Sequence, residues 1–262
     1  MIEHNFKKKF GQNFLQDKNI IRKIASTAEP TKNDLVIEIG PGSGALTVEL
    51  VEKTNVIAYE IDKDLEKQLK EKFENKDVDF IFDDFLNRNV KDDVSKYNYE
   101  KLYVIANLPY YITTPIITKI IEEKLDIEKM VLMVQKEVGE RFSAKEGCKE
   151  YSSITIYLNY YFDVKKEFIV SKNAFIPKPN VDSMIISLTK NNQKKKTKNE
   201  DVFFNLVKNS FTQKRKTLKN NLKEYDFNKV KEVLEKYNLP EDVRAENVSK
   251  EVFIEISDNL SK

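Results

Sequence analysis

Only six glycines occur in the 262 residues, and three of them fall within five positions, Gly40-Pro41-Gly42-Ser43-Gly44. Glycines packed this closely mark a backbone turn that needs positive φ or close approach to another group. The turn follows a short apolar run, Leu35-Val36-Ile37-Glu38-Ile39, and precedes helical apolar spacing from about Ala45 to Lys53. Strand, glycine turn and helix in that order predict the first βα unit of a parallel sheet, with glycines that let the backbone turn tightly and approach a ligand and a helix N-terminus that offers free N–H groups.

The pattern then repeats. Val56-Ile57-Ala58-Tyr59, Val78-Asp79-Phe80-Ile81-Phe82, Leu102-Tyr103-Val104-Ile105-Ala106, Met130-Val131-Leu132-Met133-Val134 and residues 182–189 read as further strands. Helical segments lie between them. Asp17 caps one whose apolar face is Ile20, Ile21, Ile24 and Ala25. Asp62 starts another with Leu65 and Leu69 on one side, and Pro115 suits the first turn of a third carrying Ile116, Ile117, Ile120 and Ile121. Strands alternating with helices predict an α/β fold with a Rossmann-like parallel sheet covered on both faces.

Composition changes at Lys190. The stretch from there to Asn199 has no apolar residue and reads as a basic linker. Beyond it the spacing is helical only: Phe204, Val207 and Phe211, then Leu218 and Leu222, then Val230, Val233 and Leu234. The expected organisation is a first domain over 1–190, a linker over 191–199 and a small all-helical domain over 200–262.

Several chemistries are excluded by inventory. His4 is the only histidine and Cys148 the only cysteine, so no Cys/His zinc site can be assembled within the chain. A Ser-His-Asp or Cys-His unit would depend on that single His4 near the terminus. No internal disulfide can form, and no metal is expected. There is no apolar run of 18 residues and no signal-peptide pattern after Met1, so a cytoplasmic protein without a membrane segment is expected.

Acidic residues stand where a nucleoside would need them. Glu60 ends the second strand, twenty residues past the first glycine, where a carboxylate can accept both ribose hydroxyl protons. Asp83-Asp84 ends the third, placed for an adenine edge. Gly40, Gly42 and Ala45 also satisfy the relaxed dinucleotide fingerprint, which keeps an NAD-dependent enzyme as a rival, although Pro41 inside the turn weighs against it. Asn107-Leu108-Pro109-Tyr110, at the end of the fourth strand, points to different chemistry. An exocyclic adenine amine is a weak nucleophile because its lone pair is delocalised into the ring. The Asn107 side-chain oxygen and the Leu108 carbonyl can accept its two N–H bonds and localise that pair toward an electrophilic methyl group. Tyr110 can stack on a base removed from its helix. Catalysis of this kind is positioning and electrostatics, without a strong base.

Gly11-Gln12-Asn13-Phe14-Leu15, Glu38-Ile39-Gly40-Pro41-Gly42, Asn107-Leu108-Pro109-Tyr110 and Phe175-Ile176-Pro177-Lys178-Pro179-Asn180-Val181-Asp182-Ser183 occur in this order. The ordered set closely resembles the small-subunit ribosomal RNA adenine N6-dimethyltransferases of the KsgA (RsmA) type, over about residues 6 to 258. The resemblance implies a class I methyltransferase sheet and S-adenosylmethionine as donor, held by Asn13, Leu15, Gly40, Gly42, Glu60, Asp84 and Asn107. It implies that Tyr110 and Phe175 bracket the target adenine beside Asn107, Leu108 and Pro109. It further implies small-subunit ribosomal RNA in a pre-ribosomal particle as partner; a monomer is expected. The Erm-type large-subunit enzymes share the donor site and the Asn-aromatic turn. Against them stand Thr114-Pro115, Gln135-Lys136-Glu137-Val138, Phe211-Thr-Gln-Lys-Arg-Lys-Thr-Leu218 and Arg244-Ala-Glu-Asn-Val-Ser249, which resemble the small-subunit type. Lys214, where that family usually has Arg, and Ser152, where Gly is usual, depart from the pattern. A non-catalytic ribosome assembly factor is the remaining alternative. Lys208, Lys214, Arg215, Lys216, Lys219 and Lys223 crowd one stretch of a chain whose net charge is only +2. In an RNA enzyme such a cluster is expected to contact phosphates, giving affinity without sequence choice.

Overall fold

The structure is a computed structural model that describes residues 14–108, 112–192 and 195–261. The chain opens with β1 (Phe14–Leu15), α1 (Lys18–Thr27), β2 (Leu35–Ile39), α2 (Ala45–Val51) and β3 (Asn55–Tyr59). It continues through α3 (Glu66–Lys72), β4 (Val78–Ile81), α4 (Val90–Val94), β5 (Leu102–Asn107), α5 (Thr113–Glu122) and β6 (Ile127–Gln135). Then come α6 (Lys136–Phe142), α7 (Ser153–Tyr161), β7 (Phe162–Val170), β8 (Phe175–Ile176) and β9 (Ser183–Lys190). Four helices close the described chain: α8 (Glu200–Ser210), α9 (Leu218–Asn221), α10 (Phe227–Lys236) and α11 (Lys250–Leu260).

Seven strands form one sheet in the order β4-β3-β2-β5-β6-β9-β7. The neighbours from β4 to β6 pair in parallel, as the alternation of strands and helices predicts. The strand expected over 182–189 departs from that rule: β9 runs antiparallel to β6, with Gln135 opposite Ser183 and Lys129 opposite Thr189. The chain builds outward from β2 to β3 and β4, then returns to place β5 on the other side of β2. That reversal makes the carboxyl ends of β2 and β5 the switch point at which open α/β sheets bind ligands. β7 ends the sheet, and its sequence, Phe-Asp-Val-Lys-Lys-Glu-Phe-Ile-Val, shows no clean alternation to mark it as a strand. Lysines on such an edge discourage pairing with another chain.

Burial explains the strands' composition. All five residues of β2 are buried, as expected for a strand covered on both faces, including the charged Glu38. Helix α1 is capped as the sequence predicts: Asp17 Oδ1 accepts from Asn19 N at 2.9 Å and Ile20 N at 3.2 Å. It buries Ile21, Ile24 and Ala25 in a cluster with Leu46, Leu50, Ile105 and Phe175.

The chain divides into two compact units, one holding residues up to Gly139 with Lys165–Lys190, the other Glu140–Val164 with the chain from Asn191 onward. Residues 140–164, expected within the first domain, thus belong with the C-terminal helices. The reason is a shared core: Tyr151, Ile156 and Tyr160 are buried in one cluster with Phe203, Leu206, Leu218 and Phe253. Tyr160 and Tyr161 hydroxyls also donate to the two oxygens of Glu200, at 3.0 and 3.1 Å. The stretch expected as a linker is tied down where described. Lys196 Nζ donates to Tyr160 O at 2.9 Å, and Thr197 Oγ1 and Lys198 N each donate to Asp258 Oδ1 at 2.8 Å. Lys196 Nζ also lies over two aromatic rings, 4.1 Å from the Tyr160 ring centre and 4.7 Å from that of Tyr161. In α8 the buried face is Phe203, Leu206 and Val207, while Phe204 and Phe211 are half-buried at its side.

Candidate functional site

Strand register alone brings the expected residues together. Ile39 pairs with Tyr59 on one side and with Ala106 on the other. The next residue of each strand end, Gly40, Glu60 and Asn107, therefore comes level at the carboxyl edge of the sheet. Asp83 and Asp84 follow, two and three residues past the end of β4. These residues line one cavity of about 340 Å³ within the first unit, with Phe14, Leu15, Glu38, Gly42, Leu108 and Phe175 also in its wall. The volume falls within the range of about 300–1,000 Å³ common for small-molecule sites.

The glycine turn is tight, as the sequence predicts. Gly40, Gly42 and Gly44 all have positive φ, at 74, 57 and 73°. Their N–H groups are not free: Gly40 N donates to Tyr59 O at 2.8 Å, Gly42 N to Glu60 Oε2 at 2.9 Å and Gly44 N to Pro41 O at 2.8 Å. The loop thus closes on itself and on β3, and what its glycines provide is close approach. A Cβ on Gly42 would stand 2.8 Å from the Phe14 ring, and one on Gly44 2.6 Å from the Phe73 ring. Lys72 Nζ braces the loop by donating to Ser43 O at 2.8 Å.

Glu60 is 2% exposed and accepts from Asp62 N at 2.9 Å as well as from Gly42 N. Burial raises its pKa above the ordinary carboxylate value, against the pull of those backbone bonds. Each oxygen keeps a second acceptor position for a ligand hydroxyl. Asp84 caps the short 3₁₀ turn Phe85–Asn87, its Oδ1 accepting from Leu86 N at 2.9 Å. Asp83 is exposed at the cavity rim. Asn107 is half-buried, and Leu108 is buried beside it. Phe175 is both core and wall: 3% exposed, it packs in the cluster of the first unit while lining the cavity. It reaches this position because β8 pairs antiparallel with β1, Leu15 opposite Phe175 and Phe14 opposite Ile176. Asn13, Pro109 and Tyr110 lie outside the described residues.

Glu38 received no role from the sequence, yet it lines the cavity at 1% exposed. Burial pushes its carboxyl up to about 8, with the Thr47 hydroxyl pulling the other way. Among the described residues its Oε2 accepts no hydrogen bond. One acid inside the otherwise apolar run Leu-Val-Ile-Glu-Ile is the signal that could have found it.

In the second unit, Lys208, Lys214, Arg215, Lys216, Lys219 and Lys223 are all exposed. They are not equivalent. Lys219 pairs with Glu241, and Lys214 donates to the Lys149 carbonyl.

Residues 3–262 match the family described as ribosomal RNA adenine dimethylase. The chain belongs to the ribosomal RNA adenine dimethylase family. The match goes against the dehydrogenase rival and accounts for Asn107 and Leu108, the first residues of the Asn-Leu-Pro-Tyr sequence, in the cavity wall. A protein of Fusobacterium nucleatum subsp. nucleatum named ribosomal RNA small subunit methyltransferase A is 44% identical over 262 residues, covering 97% of each chain. Two crystal structures share the fold. The 23S rRNA methyltransferase ErmE superposes with a TM-score of 0.77 at 26% identity, covering 95% of this chain and all of that one. A dimethyladenosine transferase from Plasmodium falciparum gives 0.76 at 27% identity, covering 93% of this chain and 95% of its own. The dimethylase family is thus a class I methyltransferase sheet in architecture. Among the described residues no helix is long and apolar enough to cross a membrane.

Proposed function

We propose that this dimethylase transfers methyl groups from S-adenosylmethionine to N6 of two adjacent adenosines near the 3′ end of small-subunit ribosomal RNA, within a pre-ribosomal particle. The observation that carries the reading is the convergence of Gly40, Glu60, Asp84 and Asn107 on one cavity at the switch point of the sheet. The small-subunit choice is supported by the name and 44% identity of the bacterial relative, against 26% to the large-subunit enzyme.

The residues suit the donor. Glu60 retains acceptor positions for the ribose hydroxyls, and Asp84 stands at the rim for the adenine amine. Gly40 and Gly42 let the backbone approach the donor. The unpartnered oxygen of Glu38 offers the ligand a hydrogen-bond partner, a donor while the carboxyl keeps its proton and an acceptor once it is lost. Asn13 and Leu15 complete the set. When bound, S-adenosylmethionine supplies a methyl group made electrophilic by its sulfonium.

The chain's own residues then act on the acceptor base. Asn107 and the Leu108 carbonyl accept the two N–H bonds of the adenine amine and orient its lone pair toward the methyl group. Tyr110 and Phe175 flank the base, the role the resemblance gives them. The proton leaves to water, because the methylated ammonium is acidic. Lys208, Lys214, Arg215, Lys216 and Lys219 supply phosphate contacts from the second unit, and the enzyme works as a monomer in the cytoplasm.

The test offers radiolabelled S-adenosylmethionine with unmethylated small-subunit and large-subunit particles separately. N6-dimethyladenosine in the small-subunit RNA is expected, and Asn107→Ala should abolish it while sparing donor binding in part. Label in the large subunit would reverse the substrate choice. No label in either, with donor binding intact, would leave the non-catalytic assembly role.

A further inference from the structure

Arg88 and Asp93 stand outside the cavity lining, yet they grip both strand ends that carry its carboxylates. Asp93 is a buried acid, 2% exposed, on α4. Arg88 clasps it with two bonds, Nη2 to Oδ1 at 2.6 Å and Nε to Oδ2 at 3.1 Å. The Tyr59 hydroxyl donates to Asp93 Oδ2 at 3.2 Å, and Lys96 Nζ to Oδ1 at 3.3 Å. The other arm of the guanidinium, Nη1, lies 3.8 Å from Asp83 Oδ2.

The neighbours of these contacts matter more than the contacts. Tyr59 immediately precedes Glu60, and Asp83 immediately precedes Asp84. The Tyr59 ring also meets the Phe85 ring edge-on at 5.1 Å, so the residues on both sides of Asp84 are held by the same cluster. Asp93 is buried and Arg88 half-buried, and an ion pair taken out of water in this way adds little net stability over apolar packing but does fix geometry. The planar two-pronged fork of Arg88 is suited to that, and a lysine cannot reproduce it.

We infer that Arg88 and Asp93 are positioning residues that set the separation between Glu60 and Asp84, and thereby the fit of the donor's adenosine. This deepens the proposed donor roles of Glu60 and Asp84 and rests on them. In any one conformation about the glycosidic bond, the ribose hydroxyls and the adenine amine stand a fixed distance apart, so two carboxylates bind both ends together only at a matching spacing. The pair holds that spacing from behind the wall, without touching the ligand.

The experiment measures dissociation constants by calorimetry for S-adenosylhomocysteine and for its hypoxanthine analogue, which lacks the exocyclic amine. Wild type, Asp84→Ala, Asp93→Asn and Arg88→Lys are compared, and KM for the RNA is measured alongside. Asp84→Ala should weaken the adenine ligand about tenfold, the size of a hydrogen bond to a charged group, and affect the hypoxanthine ligand less. Asp93→Asn and Arg88→Lys should move the same ratio in the same direction with KM for the RNA unchanged. If Asp84→Ala loses the preference while Asp93→Asn and Arg88→Lys keep the wild-type ratio, the positioning inference is overturned and the donor reading stands. Equal weakening of both ligands, the mark of lost stability alone, overturns it as well. If Asp84→Ala itself keeps the wild-type preference, the adenine role of Asp84 fails, and the inference fails with it.

Discussion

Replacing Glu38 by Gln should change how the protein's stability depends on pH, and the size of the change follows from burial. Glu38 sits in the central strand β2 at 1% exposed, and its carboxyl is pushed from 4.5 up to about 8. Burial is the main cause; the Thr47 hydroxyl opposes it, the Glu60 carboxylate adds to it, and Lys72 again opposes it. Between those two values the folded chain keeps the proton that the unfolded chain has lost. Stability from this group is therefore fully present below pH 4.5 and is lost as pH rises through about 8. At about 1.4 kcal/mol per pH unit, the window between 4.5 and about 8 amounts to as much as about 5 kcal/mol. A glutamine cannot titrate, so Glu38→Gln removes this loss. Its amide brings a buried donor of its own, costing about 1–3 kcal/mol at every pH alike. The informative quantity is the slope of the difference between the two proteins. Urea unfolding of both, followed by circular dichroism from acidic to alkaline pH, should show the variant gaining steadily on the wild type above pH 4.5 and levelling off above about pH 8. Glu60, whose pKa is also raised by burial, contributes a slope of the same sign to both proteins and largely cancels. Parallel stability curves would refute the reasoning.

Gly42→Ala should cost about 1–2 kcal/mol from the left-handed backbone alone, plus displacement of the Phe14 ring that a Cβ would meet at 2.8 Å. A lowered melting temperature together with weaker donor binding is expected, and wild-type values for both would contradict the packing described. Asp34→Ala should destabilise by about 2–4 kcal/mol, because the buried Asp34 accepts from Thr31 N at 2.7 Å, Thr31 Oγ1 at 2.8 Å and Lys101 N at 3.1 Å. The urea midpoint should fall accordingly. Arg215→Ala with Lys216→Ala should flatten the logarithmic salt dependence of RNA binding by about 1.5 if both contact phosphate. Lys219→Ala, whose charge already pairs with Glu241, should flatten it less, and equal slopes for the variants and the wild type would remove this stretch from the interface.

The donor side of the site was legible because its residues end strands. Leu35–Ile39 and Leu102–Asn107 are short, wholly apolar apart from one or two positions, and followed by a turn, so period and punctuation agree. Pairing register then carries Gly40, Glu60 and Asn107 to one level without any long-range information in the sequence. β7 was not legible, since an edge strand with exposed lysines needs no apolar alternation. The place of 140–164 was hidden for another reason. Ile156 and Tyr160 are as apolar as any core residue, and only their burial against Phe203 and Phe253 assigns them to the second unit. The occupied glycine N–H groups could not be read either, because Glu60 reaches Gly42 through its side chain across a strand boundary.

The strand order has a consequence for synthesis. β9 pairs directly with β6, yet α6, α7, β7 and β8 are all made between them. Translation proceeds from the amino end, so β6 leaves the ribosome with one side unpaired until Lys190 has followed Gln135, an interval of roughly 3–11 s at about 5–20 residues per second. During that interval the nascent chain presents an open row of backbone groups on a very apolar strand, Ile-Glu-Lys-Met-Val-Leu-Met-Val-Gln, a surface to which other chains can adhere. Phe175 and β8 arrive within the same interval, so the cavity wall is completed only as that exposure ends. A truncated product ending before β9 would carry the glycine loop, Glu60 and Asn107 in full, and would still be prone to aggregate.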